Sequence, residues 1–186
     1  MSKLLVVYGT SEGHTRKVAE RIGAVARDLG FVAHVHDAAL EPAIDPGCDA
    51  VIAAASVHQT RHQDAVIHFA HEWRDTLRRL PTAFFSVSLT AAFPGHAHQD
   101  EAMGYVDAFI EETGWRPGRV HLVAGALLYT RYDVLKRTVA RLIATQAGAL
   151  TDTSRDVEYT DWKQLERDTA AFLSTLPVRR TPAAMA

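Results

Sequence analysis

The chain has 186 residues, 47% hydrophobic and 23% charged, with a formal net charge of −2 and a pI near 6.5. That length suits one globular domain with a sizeable core, and the near-neutral balance lacks the basic excess that duplex binding needs, so no nucleic acid is expected as a partner. The single cysteine, Cys48, closes no internal disulfide, no leader pattern precedes Leu4, and no apolar run reaches the roughly 18 residues of a membrane span; a cytoplasmic setting is the expectation.

In chain order, Leu4 to Tyr8 is an unbroken apolar run, as expected of a strand buried on both faces. His14 to Leu29 then places Val18, Ile22, Val25, Ala26 and Leu29 at helical spacing, with Gly30 as the stop. Phe31 to His36 reads as a second strand and Ala50 to Ala55 as a third. Gln63 to Leu80 reads as a helix closed by Pro81, Ala83 to Leu89 as a fourth strand, Asp100 to Thr113 as a helix, and Val120 to Leu127 as a fifth strand. A helical pattern from Asp133 to Ala147, a short extended piece at Val157 to Thr160 and a helix from Asp161 to Leu176 complete the pattern. Strands alternating with helices imply right-handed crossovers and a parallel sheet. The fold class expected is therefore α/β: a doubly wound, five-stranded parallel sheet with helices on both faces and an inserted helical segment near strand five. The expected layout is one domain over residues 1–176, interrupted by an insert at about 130–157, and a loose tail at 177–186. Ligands of such sheets bind beyond the carboxyl ends of the strands.

The loop Thr10-Ser11-Glu12-Gly13-His14-Thr15 joins the first strand to the first helix. Free amides at a helix start and the positive end of its dipole favour a phosphate. Thr10, Ser11 and Thr15 add hydroxyls, and Gly13 permits close approach or positive φ. Neither GxxxxGK[ST] nor GxGxxG is present, which disfavours a nucleotide hydrolase and a dinucleotide fold and leaves a monophosphate seat. The alternative is an ordinary helix cap supplied by Thr10 or Ser11. Ten scattered histidines show neither HExxH nor CxxC spacing, so no metal site is expected.

Val6 to Ile22 resembles the FMN-phosphate signature of flavodoxins in its aliphatic pair, its aromatic, Thr10, Gly13, Thr15, Ala19 and Ile22. The resemblance implies a flavodoxin-like domain in which Thr10, Ser11, Glu12, Gly13, His14 and Thr15 wrap the FMN phosphate. It implies further that the loops after the third and fourth strands hold the flavin ring, through Ser56, Val57 and His58 and through Ser86, Val87, Ser88, Leu89 and Ala91. Flavodoxins usually sandwich the ring between aromatics; here those loops offer His58, His62 and Phe93.

Further stretches resemble the flavodoxin-like, menaquinone-dependent protoporphyrinogen oxidases of bacterial haem synthesis: FFSVSL at Phe84 to Leu89, WRPGR at Trp115 to Arg119, GALLYTRY at Gly125 to Tyr132, and TDTSRDVEYTDW at Thr151 to Trp162. That resemblance implies an enzyme in which FMN takes hydrogen from protoporphyrinogen IX and passes reducing equivalents to menaquinone or another quinone. In the insert, Val134, Leu135, Thr138, Val139, Leu142 and Ile143 share a helical face, while Lys136, Arg137 and Arg141 lie elsewhere and Arg131 precedes them. A basic amphipathic helix suits peripheral contact with an anionic membrane surface, and its cations equally suit porphyrin propionates; the plainer alternative is a helix over the sheet edge with solvated cations. Tyr129, Arg131, Tyr132, Arg137 and Arg141 are the expected substrate contacts. No general acid or base stands out, so the catalytic residues stay unassigned, as does any homo-oligomeric state. The rival reading is a soluble electron-transfer flavodoxin, weakened because such carriers tend to be strongly acidic. A module that has lost FMN is disfavoured by the intact loop.

Overall fold

The structure, a computed structural model, describes residues 1–127 and 157–176. Its strands are β1 (Lys3–Gly9), β2 (Val32–Asp37), β3 (Ala50–His58), β4 (Arg61–His62), β5 (Thr82–Ser88), β6 (Arg119–Ala124), β7 (Ala126–Leu127) and β8 (Val157–Glu158). Its helices are α1 (His14–Asp28), α2 (Asp64–Glu72), α3 (Arg74–Leu77), α4 (His96–Thr113) and α5 (Trp162–Ser174). Five strands pair in parallel, as the alternation predicts, and lie in the order β2-β1-β3-β5-β6. The order reverses between β1 and β3, which is where a ligand crevice opens in such sheets.

Burial explains why the central strands are continuous apolar runs. Every residue of β5 and the first six of β3 are buried, because helices cover both faces. Alternate residues of β1 feed opposite cores. Leu4, Val6 and Tyr8 pack with Val18 and Ile22 of α1 and with Leu165, Phe172 and Leu173 of α5. Leu5 and Val7 pack on the other side with Phe69 of α2 and with Phe84, Val106, Phe109 and Trp115. Burying each such side chain contributes roughly 1.5–3 kcal/mol, offset by the conformational entropy of ordering it.

Four local departures bear on the loops. The helix expected over 63–80 breaks at Trp73 into α2 and α3. The helix expected from Asp100 begins at His96, just after Gly95. The fifth strand breaks at Gly125, whose amide turns to donate to the Ser88 carbonyl at 3.0 Å. An unanticipated hairpin folds β4 back on β3, pairing Val57 with His62. Its turn residues, Gln59 and Thr60, both take left-handed backbone with φ of 48° and 68°. That geometry normally calls for Gly or Asn, so the sequence carries no turn signal there. The helix expected at Asp133 to Ala147 and the tail at 177–186 lie outside the described residues.

Candidate functional site

Four strand ends converge on one cleft. Thr10, Ser11, Glu12, His14 and Thr15 line it from the loop after β1. Ser56, Val57 and His58 line it from the end of β3, and Val87, Ser88 and Leu89 from the end of β5. Gly125 and Ala126, beyond β6, complete the wall. The sequence marks those two only by the glycine that interrupts the last apolar run.

The loop after β1 is built tightly and left open. Gly9 must be glycine, since a Cβ there would stand 2.6 Å from Val66 Cγ2 and 2.8 Å from Gln63 Cβ at the start of α2. Gly13, with φ of 91°, holds the left-handed conformation before α1, and its amide donates to Thr10 Oγ1 at 2.9 Å. Ser11 Oγ accepts from Gln63 Nε2 at 2.6 Å, which ties the loop to α2. No side chain caps α1, and its first turn carries no acidic residue. Thr15 Oγ1 is buried without a hydrogen-bond partner. A buried hydroxyl left unpaired costs about 1–3 kcal/mol, so such a group is retained where a ligand completes it. An uncapped helix start, a glycine whose absent Cβ leaves open space, and an unpartnered hydroxyl fit a phosphate monoester.

His14 has a second set of contacts. Its ring is buried, and Nε2 lies 2.7 Å from Thr160 Oγ1. The Thr160 hydroxyl donates to the Ala124 carbonyl at 2.6 Å. With that proton committed, Thr160 accepts from His14, so the imidazole carries its hydrogen on Nε2. Nδ1 is buried without a hydrogen-bond partner and stands 3.8 Å from Glu158 Oε1, a carboxylate that also receives the Lys17 ammonium. Burial pushes the His14 pKa below the ordinary histidine value, the Glu158 carboxylate pulls it up, and Lys17 adds to the fall. The Trp162 ring lies 5.9 Å from the imidazole, centroid to centroid. Tyr159 donates its amide to the Gly125 carbonyl at 3.1 Å, so the β7–β8 ribbon hangs between the end of β6 and the first loop.

Several expected residues sit elsewhere. Ser86 is wholly buried and bonded to His62 Nε2 at 2.9 Å, beneath the cleft rather than in its wall. His62 is neither a ring-stacking residue nor a solvated one: it is 3% exposed and packs against Phe84 and Phe109 at 5.1 and 5.3 Å. Burial alone lowers its pKa to about 4, so it is a neutral core residue that pins the hairpin to β5. The reason is tertiary, because α4 closes over β4 and converts a loop position into core. Ala91 does not line the cleft; its amide donates to Ser88 Oγ at 3.2 Å and steadies that wall. Phe93 packs by its His98 neighbour at 5.5 Å and is also absent from the lining. Of the three aromatics considered for stacking, only His58 reaches the cleft, and it is exposed there. Tyr129, Arg131, Tyr132, Arg137 and Arg141 lie outside the described residues.

A family profile described as the flavodoxin domain matches residues 5–154. The chain is 33% identical, over 88% of its length, to the Escherichia coli K12 protein named protoporphyrinogen IX dehydrogenase [quinone], and it spans 90% of that protein. It is 30% identical, over 97% of its length, to a Leishmania major protein of the same name, spanning 78% of that protein. Among solved structures, oxidised flavodoxin 1 from Bacillus cereus superposes with a TM-score of 0.57 at 18% identity, covering 95% of this chain and 100% of that one. That likeness establishes the fold.

Proposed function

The chain belongs to the flavodoxin-domain family, and we propose that it is an FMN-dependent dehydrogenase oxidising protoporphyrinogen IX to protoporphyrin IX with a quinone as acceptor. The observation that carries this reading is the near end-to-end similarity to proteins named for that reaction. The cleft supports the cofactor, because its first loop offers an uncapped helix start and an unpartnered buried hydroxyl where a phosphate monoester belongs.

Bound FMN would supply a two-electron acceptor between porphyrinogen and quinone, and the chain itself binds, orients and shields. Thr10, Ser11 and Thr15 hydroxyls and the amides of His14 and Thr15 would hold the phosphate, with Gly13 shaping the loop through its amide bond to Thr10 Oγ1. Ser56, Val57 and His58 would bound the flavin on one side, and Val87, Ser88 and Leu89 on the other. Ser86 and Ala91 act behind these walls, holding His62 and Ser88. Substrate contacts fall to the insert, through Tyr129, Arg131, Tyr132, Arg137 and Arg141, since arginines suit the propionate carboxylates of a porphyrinogen. No helix among the described residues is long and apolar enough to cross a membrane. A lipid-soluble quinone would be met at the membrane surface, and the insert's basic side chains are the candidates for that contact.

The test is direct. Purified protein is reconstituted with FMN, and protoporphyrinogen oxidation is followed with a menaquinone analogue as acceptor. Porphyrin fluorescence rising only when FMN and quinone are both present supports the proposal. Binding of FMN without oxidation leaves a carrier, and failure to bind FMN sinks both readings.

A further inference from the structure

His14 is not required by a phosphate loop as such, and its surroundings are unusual for a residue of that loop. The ring is buried, one nitrogen is spent on Thr160, and the other faces a carboxylate just beyond hydrogen-bond reach while lining the same cleft as Thr10, Ser11 and Thr15. A neutral imidazole in that position leaves a buried lone pair unsatisfied. An imidazolium would donate from Nδ1 towards Glu158 and would place a positive charge beside the phosphate seat. The balance between the two forms is set by the charges around the ring. Glu158 on β8 favours the charged form, Lys17 on α1 opposes it, and burial opposes it too. Trp162 of α5 adds an aromatic neighbour without charge, and Glu12 lines the cleft from the same loop.

We infer that His14 is a proton-linked positioning residue: it takes up one proton from solvent at Nδ1 when a phosphate monoester enters the loop, and the imidazolium then bridges Thr160 and Glu158 and ties the β7–β8 ribbon to the occupied seat. The inference rests on the cofactor reading above and deepens it. A phosphate dianion in the cleft is a new negative charge close to a ring that has an acceptor waiting on its other side. Ligand binding and proton binding therefore favour each other, and by linkage each strengthens the other equally. The same proton converts a near contact between Nδ1 and Glu158, 3.8 Å apart, into a charge-assisted hydrogen bond that draws the ribbon towards the loop. The ribbon and the first loop lie far apart in the sequence, so the histidine is the point at which cofactor loading is felt by a distant segment of the chain.

The experiment measures FMN and riboflavin affinity for the full chain between about pH 8 and about pH 6, with wild type, His14→Gln and Glu158→Gln compared. Glutamine keeps a donor for Thr160 and cannot titrate. The phosphate's own ionisation is common to all variants and cancels in the ratio of dissociation constants. For FMN, the ratio of His14→Gln to wild type is expected to widen as pH falls, by up to about tenfold per pH unit, the limit for one linked proton. For riboflavin, which lacks the phosphate, the ratio is expected to stay flat, and Glu158→Gln is expected to shallow the FMN slope. A pH-independent FMN ratio, or an equal slope with riboflavin, overturns the inference. If a variant does not fold, imidazole nitrogen NMR on wild type still decides: the free protein is expected to show the Nε2-protonated tautomer, and the FMN-loaded protein at about pH 7 the doubly protonated ring. An unchanged neutral ring on loading overturns it. Failure of FMN to bind at any pH overturns the cofactor reading with it, whereas proton-linked FMN binding without porphyrinogen oxidation upholds this inference and removes only the substrate.

Discussion

The starts of α1 and α5 stand close together and are built in opposite ways. At α5, the Asp161 carboxylate accepts from the Gln164 amide at 2.9 Å, and the helix end is satisfied by its own sequence. At α1, Gly13 caps nothing with a side chain, and Thr15 Oγ1 is left buried without a partner two residues on. A helix completed by its own residues needs no ligand, whereas one left incomplete in a cleft is shaped for an outside acceptor. His14 and Thr160 join the two, so the satisfied end braces the open one.

That contrast can be broken from either side. The largest effect is expected from Thr15→Val, which removes the unpartnered hydroxyl: FMN affinity should fall by roughly tenfold to a hundredfold, the worth of a hydrogen bond to a charged group, while denaturant stability of the ligand-free protein holds or rises. A loss of stability with unchanged affinity would make Thr15 an ordinary core residue. Thr160→Val cuts the brace and strands both the His14 Nε2–H and the Ala124 carbonyl; unfolding free energy should drop by about 1–3 kcal/mol, and urea titration checks it. Gly13→Ala forces an L-residue into left-handed backbone, at a cost of roughly 1–2 kcal/mol. Thermal melting should show that loss, with weaker FMN binding beside it. The smallest effect belongs to Asp161→Ala, about 1 kcal/mol of stability through the lost cap, with FMN affinity unchanged by fluorescence titration. If Asp161→Ala instead released FMN, the two helix starts would not divide into structure and site.

Much of this was local enough to read from the sequence. Apolar runs at Leu4 to Tyr8, Ala50 to Ala55 and Ala83 to Leu89 are strands because both faces are covered, and burial on both faces leaves an unbroken hydrophobic signature. The hairpin is not legible in the sequence because Gln59 and Thr60 adopt a turn that their side chains do not advertise. The burial of His62 is hidden for a related reason: nothing in its neighbours along the chain says that Phe84 and Phe109 will enclose it.

By itself, the sequence determined the alternation of the five parallel strands with helices and the small polar loop from Thr10 to Thr15, because propensity, periodicity and loop chemistry act over a few adjacent residues, and the resemblance of its motifs pointed to the family. Only the tertiary structure decided which loop residues face the cleft, that Ser86 and His62 lie beneath it, and that Thr15 is unpartnered. It alone brought His14 onto Thr160, 146 positions away. Burial and unsatisfied valence depend on what distant segments bring to a point in space, and no local pattern of residues carries that information.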